Sequence, residues 1–379
     1  MPRQRIELDP IDSLSILDEE GRLDQALEPE IPADDLRRLY RTFLLARRFD
    51  ERMLLLQRQG RIGTYLPARG HEAAVLGSVY PLRATDWLVP VWREWAAYVW
   101  RGWPLDNLIL LYAGLPEGTS VPEGIRDLPV CVPMGTHVPH AVGIACAARA
   151  RREDSVVLCY FGDGASSEGD VHESMVFASS YKAPVVFFCQ NNHWAISVPS
   201  SVQTRIPLAN RAKGYGFPGI RVDGNDVIAV HAVTEWALER ARQGEGPVLI
   251  EAFTYRVGAH TTADDPTKYR ESAEEGRWRA KDPLERLEKY LRAAGLADDA
   301  FFEQVRADGD ELAAYVRKTT YDLETPDIRT AFANTYVEAH PLVAEELAWF
   351  EEYSAGFADE AEPDEAEPAE TAPAEGAAN

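Results

Sequence analysis

The sequence predicts an α/β fold: a parallel sheet with helices on both faces, and extra helices at the N- and C-terminal ends. Three observations predict it. Near-continuous apolar runs recur at 156–161, 185–189, 220–222 and 248–253. Stretches with helical spacing separate them, most clearly 226–242. The chain is also long, at 379 residues, and 45% hydrophobic, ample for a large core. Strands that read as unbroken apolar runs and alternate with helices belong to parallel sheets covered on both sides.

The elements follow in order. Residues 1–30 read as an extended acidic arm with short apolar spots. A helix is expected from Pro32-Ala33-Asp34-Asp35, which places acids in its first turn. It continues through Leu36, Leu39, Tyr40, Phe43 and Leu44 to Leu56, and Gly60 stops it. Further helices are expected after Gly70-His71-Glu72, after Arg93, and over 167–181. From 283 to 352 the pattern is helical, with breaks at Pro326 and Pro341. The predicted plan is an arm (1–30), a body (31–354) and an acidic tail (355–379). The tail carries eight acids and no Lys or Arg among Pro, Ala and Gly, a composition that forms no core and predicts disorder.

Charge narrows the partners. The formal net charge is -23, and -15 remains without the tail. Such a surface argues against nucleic acid or an anionic membrane. No apolar run is long enough to span a bilayer, and the start, Met1-Pro2-Arg3-Gln4-Arg5, does not resemble a secretory signal. Cys131, Cys146, Cys159 and Cys189 form no CxxC pair and read as reduced core cysteines. A cytoplasmic protein is expected.

The chemistry centres on Gly162-Asp163-Gly164-Ala165, at the carboxyl end of an apolar run. Open parallel sheets bind ligands at that edge. Glycines let backbone approach a ligand, and the N–H groups of a following helix suit a phosphate. Asp163 offers a hard oxygen, and a carboxylate beside a phosphate implies a bridging divalent cation. The interval from Asp163 to Asn192 holds one helix and one strand. Asn192 therefore tops the next strand, on the same edge, with an amide oxygen as a second metal ligand. A lone Gly-Asp-Gly usually marks a tight turn. Strand, Gly-Asp-Gly, helix, strand and Asn191-Asn192 at this spacing are specific, and resemble the signature of thiamine-diphosphate enzymes.

Three more segments select a branch. Val91-Trp92-Arg93-Glu94 is similar to the tyrosine–arginine pair that grips the diphosphate in alpha subunits of 2-oxo acid dehydrogenases, with Trp92 in place of the tyrosine. Gly258-Ala259-His260-Thr261-Thr262-Ala263-Asp264-Asp265-Pro266-Thr267-Lys268-Tyr269-Arg270 resembles their mobile loop, nearly residue for residue. The segment from Leu128 to Pro139 resembles the stretch against which the cofactor bends, with Met134 as the wedge. His137 stands where most relatives have Gln, and reads either as a packed polar residue or as an extra proton carrier. Thr261 matches a phosphorylated position of animal relatives, but a surface hydroxyl is the plainer reading.

The chain thus resembles, over roughly 8–352, the alpha subunit of the decarboxylating component of 2-oxo acid dehydrogenase complexes, nearest to the bacterial pyruvate-specific branch. The resemblance implies a thiamine-diphosphate-binding fold, with thiamine diphosphate and Mg2+ as cofactors. Asp163, Asn192 and the Trp194 carbonyl would hold the metal. Trp92, Arg93, Met134, Gly162, Gly164, Ala165 and His260 would meet the cofactor, with His260 catalytic. It implies oxidative decarboxylation of pyruvate and reductive acetylation of a lipoyl group, with branched-chain 2-oxo acids or acetoin as alternative substrates. A noncatalytic subunit that kept the fold is the alternative from another class. The implied partners are a beta subunit, in an alpha-2 beta-2 heterotetramer, and the lipoyl-bearing acyltransferase. The stretch between the loop and the tail, 271–354, is too short for a second cofactor-binding domain.

Overall fold

A computed structural model describes residues 10–324, 327–333 and 335–357. The chain divides into two compact units, 1–322 and 323–379. The first opens with β1 (Ser13–Leu14), α1 (Ala33–Arg58), α2 (Glu72–Val79), β2 (Trp87–Val89), α3 (Trp95–Trp100), α4 (Leu105–Ala113) and α5 (His137–Arg151). Its centre comprises β3 (Val157–Gly162), α6 (Gly169–Ser180), β4 (Val185–Asn191), a hairpin of β5 (Trp194–Ala195) and β6 (Val198–Pro199), α7 (Ser200–Gln203) and α8 (Arg211–Tyr215). Then come β7 (Gly219–Asp223), α9 (Val227–Arg242), β8 (Val248–Phe253), α10 (Ser272–Arg279), α11 (Pro283–Ala293) and α12 (Asp299–Tyr321). The second unit contains α13 (Arg329–Ala333) and α14 (Pro341–Ala355), which pack on each other.

Six strands form one sheet in the order β1-β7-β8-β4-β3-β2, and every pairing is parallel. The four apolar runs of the sequence are its central strands, and every residue of β4 is buried. On one face, Val138, Ala141 and Ala145 of α5 and Val171 and Met175 of α6 pack on Val157, Cys159, Phe187 and Cys189. Helices α2 and α9 pack against each other, and α9 lies along β4, β7 and β8.

The helix expected from 33 to 56 runs to Arg58, with Gly60 left-handed at φ 71° just beyond. The helix expected at 167 begins at Gly169, after a short 3-10 turn over Ala165–Ser167. Pro341 starts α14 rather than breaking a helix, since a first-turn proline has no N–H to lose. Pro326 and the tail from 358 onward lie outside the described residues. The arm does more than extend. Its β1 adds a strand to the sheet, and Asp226, the cap of α9, accepts N–H bonds from Ile16 at 2.6 Å and Leu17 at 2.7 Å. Among the described residues no helix is long and apolar enough to cross a membrane.

Candidate active site

The register between β3 and β4 places Gly162 opposite Gln190. Asp163 and Asn192, each just past its strand, therefore emerge side by side at the carboxyl edge. Asp163 is buried, and burial pushes its pKa up to about 6 against the N–H bonds it accepts, one from the Asn192 backbone. Gln203 Nε2 also donates to its carboxylate, at 3.3 Å. Asp163 forms no ion pair among the described residues, although the charge of Arg256 acts on it, and such a buried carboxylate suits a bound cation, which would restore its ionised form.

Asn192 Oδ1 accepts the Trp194 N–H at 3.2 Å, and its Nδ2 donates to His71 Nε2 at 3.1 Å. The turn beyond it is tight, with His193 at φ 73° and Ile196 at φ 55°. Asn191 holds this turn: its Oδ1 accepts the His193 N–H, and its Nδ2 donates to the fully buried Glu251 at 2.7 Å. The Trp194 carbonyl accepts from Arg256 at 3.1 Å and keeps a second lone pair. A Cβ at Gly164 would lie 2.9 Å from the Ala195 Cβ, so only glycine admits this approach of hairpin and strand end.

Across the cavity, Arg93 is buried and donates to the Pro67 carbonyl, to His260 Nδ1 at 3.0 Å and to the His260 carbonyl at 2.8 Å. Burial lowers its pKa to about 10, aided by the nearby Arg256. Burial also lowers His260 to about 4, with Arg93 and Arg256 adding to the effect. The ring is therefore neutral near pH 7. Because Nδ1 accepts from Arg93, its proton sits on Nε2. The loop is closed by its own side chains. Asp264 accepts the His260 N–H at 2.7 Å and the Tyr269 hydroxyl at 2.5 Å, and Arg256 donates to that hydroxyl at 2.7 Å.

One cavity of about 430 Å³ collects all of the sequence-predicted residues: Trp92, Arg93, Met134, Gly162, Asp163, Gly164, Ala165, Asn192, Trp194 and His260 line it. The group expected to hold a metal comprises one carboxylate, Asp163, one amide oxygen, Asn192, and the Trp194 carbonyl; Glu94 and Glu168 also line the cavity. No cage of three or more His, Cys, Asp or Glu exists among the described residues. Magnesium is commonly held that way, with ligand phosphates and water completing its shell. Arg93 and Arg256 are both buried, and neither forms an ion pair with a carboxylate among the described residues, which suits an anion. The donor set fits a magnesium diphosphate. A larger cleft of about 850 Å³, lined by apolar side chains such as Leu14, Phe217 and Trp236, lies at the β7 side of the sheet.

A family model described as "Dehydrogenase E1 component" matches residues 40–321. The chain belongs to this family, as an alpha-type subunit. It is 45% identical to the 3-methyl-2-oxobutanoate dehydrogenase subunit alpha of Mycobacterium tuberculosis over 313 residues, covering 82% of this chain and 85% of the relative. It is 39% identical to the pyruvate dehydrogenase E1 component subunit alpha of Staphylococcus epidermidis, covering 89% and 92%. It is 37% identical to the corresponding Acholeplasma laidlawii subunit, covering 89% and 99%.

In this E1 chain the cavity also takes in residues that sequence reasoning passes over. His71, Glu94, Gln190 and Gln203 all line it. Gln190 flanks the Asn191-Asn192 pair and bonds to Glu94, the last residue of the Val91-Trp92-Arg93-Glu94 segment, whereas nothing in the sequence connects His71 or Gln203 to the site. His137 lines the cavity as a neutral packed residue: Nε2 bonds the Tyr160 carbonyl at 2.6 Å, and burial lowers its pKa. The Thr261 hydroxyl accepts the Ala263 N–H at 3.2 Å.

Proposed function

We propose that this E1 alpha chain binds thiamine diphosphate with Mg2+ and, with a beta subunit, decarboxylates a branched-chain 2-oxo acid and passes the acyl group to a lipoyl acceptor. The observation that carries the reading is one cavity joining Asp163 and Asn192 to the Arg93–His260 pair. Asp163, Asn192 Oδ1 and the Trp194 carbonyl would hold the metal. Gly162, Gly164 and Ala165 would offer backbone to the diphosphate, and Arg93 its charge. Met134 and Trp92 would shape the walls near the ring system. Bound thiamine diphosphate supplies the nucleophilic carbon and the electron sink that decarboxylation needs. His260, neutral and protonated on Nε2, would donate a hydrogen bond to charge that develops beside it. The loop behind it would keep water out.

A heterotetramer with a beta subunit is supported by the cavity mouth. Met134, Ile196 and Val198 line the cavity and are also exposed, so it opens onto apolar surface. The acyltransferase and an alpha-2 beta-2 assembly follow from the family reading.

The substrate rests on likeness. Identity is 45% to the 3-methyl-2-oxobutanoate relative and 37–39% to the pyruvate relatives, which favours the branched-chain reading over the pyruvate expectation. Pyruvate is the second reading, since those relatives match over a larger share of both chains. Turnover of 3-methyl-2-oxobutanoate against pyruvate by the reconstituted tetramer tests it. A kcat/KM for pyruvate equal to or above that for 3-methyl-2-oxobutanoate would overturn the choice.

A further inference from the structure

We propose that His71 is a positioning residue for the metal site: it determines which end of the Asn192 amide faces the cation. The inference rests on the reading of Asp163 and Asn192 as magnesium ligands. A carboxamide has nearly the same shape either way round. Turned end for end, it would present its NH2 group, a donor, where the metal needs an oxygen. Something must select the orientation before the ion arrives.

The neighbours of Asn192 make that selection. His71 is fully buried, and its Nδ1 faces the Ala68 carbonyl at 3.3 Å. A carbonyl only accepts, so Nδ1 carries the proton and Nε2 carries a lone pair. That lone pair takes the Nδ2 hydrogen of Asn192 at 3.1 Å. On the other side, the Trp194 N–H donates to Oδ1 at 3.2 Å and leaves it a second lone pair for the cation. A reversed amide would set its oxygen against the Nε2 lone pair and its NH2 against the Trp194 N–H. Both contacts would be repulsive, between groups that are buried.

The imidazole is itself held from several sides. Gly70 is left-handed at φ 97°, and a Cβ there would lie 2.3 Å from the Tyr255 carbonyl, so the turn sits hard against the end of β8. Thr254 Oγ1 donates to the Gly70 carbonyl at 2.7 Å. Glu72 accepts the Gly70 N–H at 2.7 Å with one oxygen and both Nε and Nη2 of Arg47 with the other, at 3.1 and 2.9 Å. His71 thus sits on a rigid corner with its lone pair already aimed.

The test uses the complex of this chain with its beta subunit, with Mn2+ as the metal probe. Free Mn2+ is measured by electron paramagnetic resonance at fixed thiamine diphosphate. His71→Leu removes the acceptor and is expected to raise the Mn2+ Kd about tenfold or more, the scale of outer-shell partners at metal sites. His71→Gln restores an acceptor and is expected to stay within about threefold of wild type, well short of that loss. In an Asn192→Asp background both ends are oxygens and one must face the Nε2 lone pair, so adding His71→Leu is expected not to weaken Mn2+ binding. If His71→Leu does not assemble, His71→Met, of similar volume and weak acceptor strength, takes its place. Wild-type affinity in His71→Leu would overturn the proposal. So would a His71→Gln as weak as His71→Leu, or a loss that persists in the Asn192→Asp background. A wild-type complex that binds no Mn2+ with thiamine diphosphate would instead overturn the magnesium reading itself.

Discussion

The two walls of the cavity are built by different physics. The metal wall stands on the ends of β3 and β4, central strands with main-chain bonds on both sides. The opposite side includes His260 of the 257–270 loop, which is fastened largely by the side chains of Asp264, Tyr269, Arg256 and Arg270, with main-chain bonds to the body from the Val257 and Thr262 N–H groups. Arg270 donates to the Arg256 carbonyl at 2.7 Å and to the Gly258 carbonyl at 2.9 Å, closing the loop across its neck. Strand ends move only if the sheet does. A loop held by a handful of bonds, most of them from side chains, can be loosened by losing one of them. The contrast separates a permanent anchoring half from a half that can open.

Substitutions should keep these halves distinct. The largest effect belongs to Asp163→Ala, which removes the only carboxylate among the proposed metal ligands. Metal affinity should fall by more than the ~100-fold ceiling of outer-shell changes, measured by calorimetry with thiamine diphosphate present. His260→Ala should lower kcat by about 100-fold, the low end for a group acting on the reacting atoms. Metal affinity should stay within about twofold, because the ring touches the other wall. An equal loss of both quantities would abolish the distinction between the walls.

The third prediction concerns pH. His260 is pushed down to about 4 by burial and by Arg93 and Arg256. The neutral ring, which can accept from Arg93, persists above that value and is lost as pH falls through it. Any acid limb that His260 causes in kcat should therefore lie near pH 4. Arg93→Met removes one nearby positive charge, so that limb should move to higher pH. A limb that stays in place would mean another group controls it. The smallest effect is Tyr269→Phe, which removes one hydroxyl between Arg256 and Asp264 at a cost of about 1 kcal/mol. Cleavage in the loop by trypsin should quicken about fivefold, with the melting temperature nearly unchanged.

The contrast also bears on what can be read from sequence. The metal wall is legible because consecutive residues make it: apolar strand, Gly-Asp-Gly, and Asn-Asn at a countable distance. The apolar, buried runs of β3 and β4 read as strands for the same reason. Helix α5 gives no such signal, since it buries small residues such as Ala141, Ala145 and Ala148 rather than a broad apolar stripe. β1 and β2 are hidden by their length, and β1 pairs with a strand far along the chain, Ser13 opposite Arg221. His71 and Gln203 are hidden because only the folded chain brings them to Asn192 and Asp163. The partner of Arg93 is hidden too: the sequence places Arg93 and His260 in one site without showing that one sets the tautomer of the other.

The arm carries a consequence of another kind. The strands at the two margins of the sheet, β1 and β2, span only Ser13–Leu14 and Trp87–Val89. Short margins offer a neighbouring molecule little main chain to pair with. β1 covers the longer β7, which would otherwise face solvent along that side. Deleting residues 1–17 would expose it and release Asp226 from two of its N–H partners. The first symptom of such a truncation should be self-association, seen by light scattering, before any loss of cofactor binding.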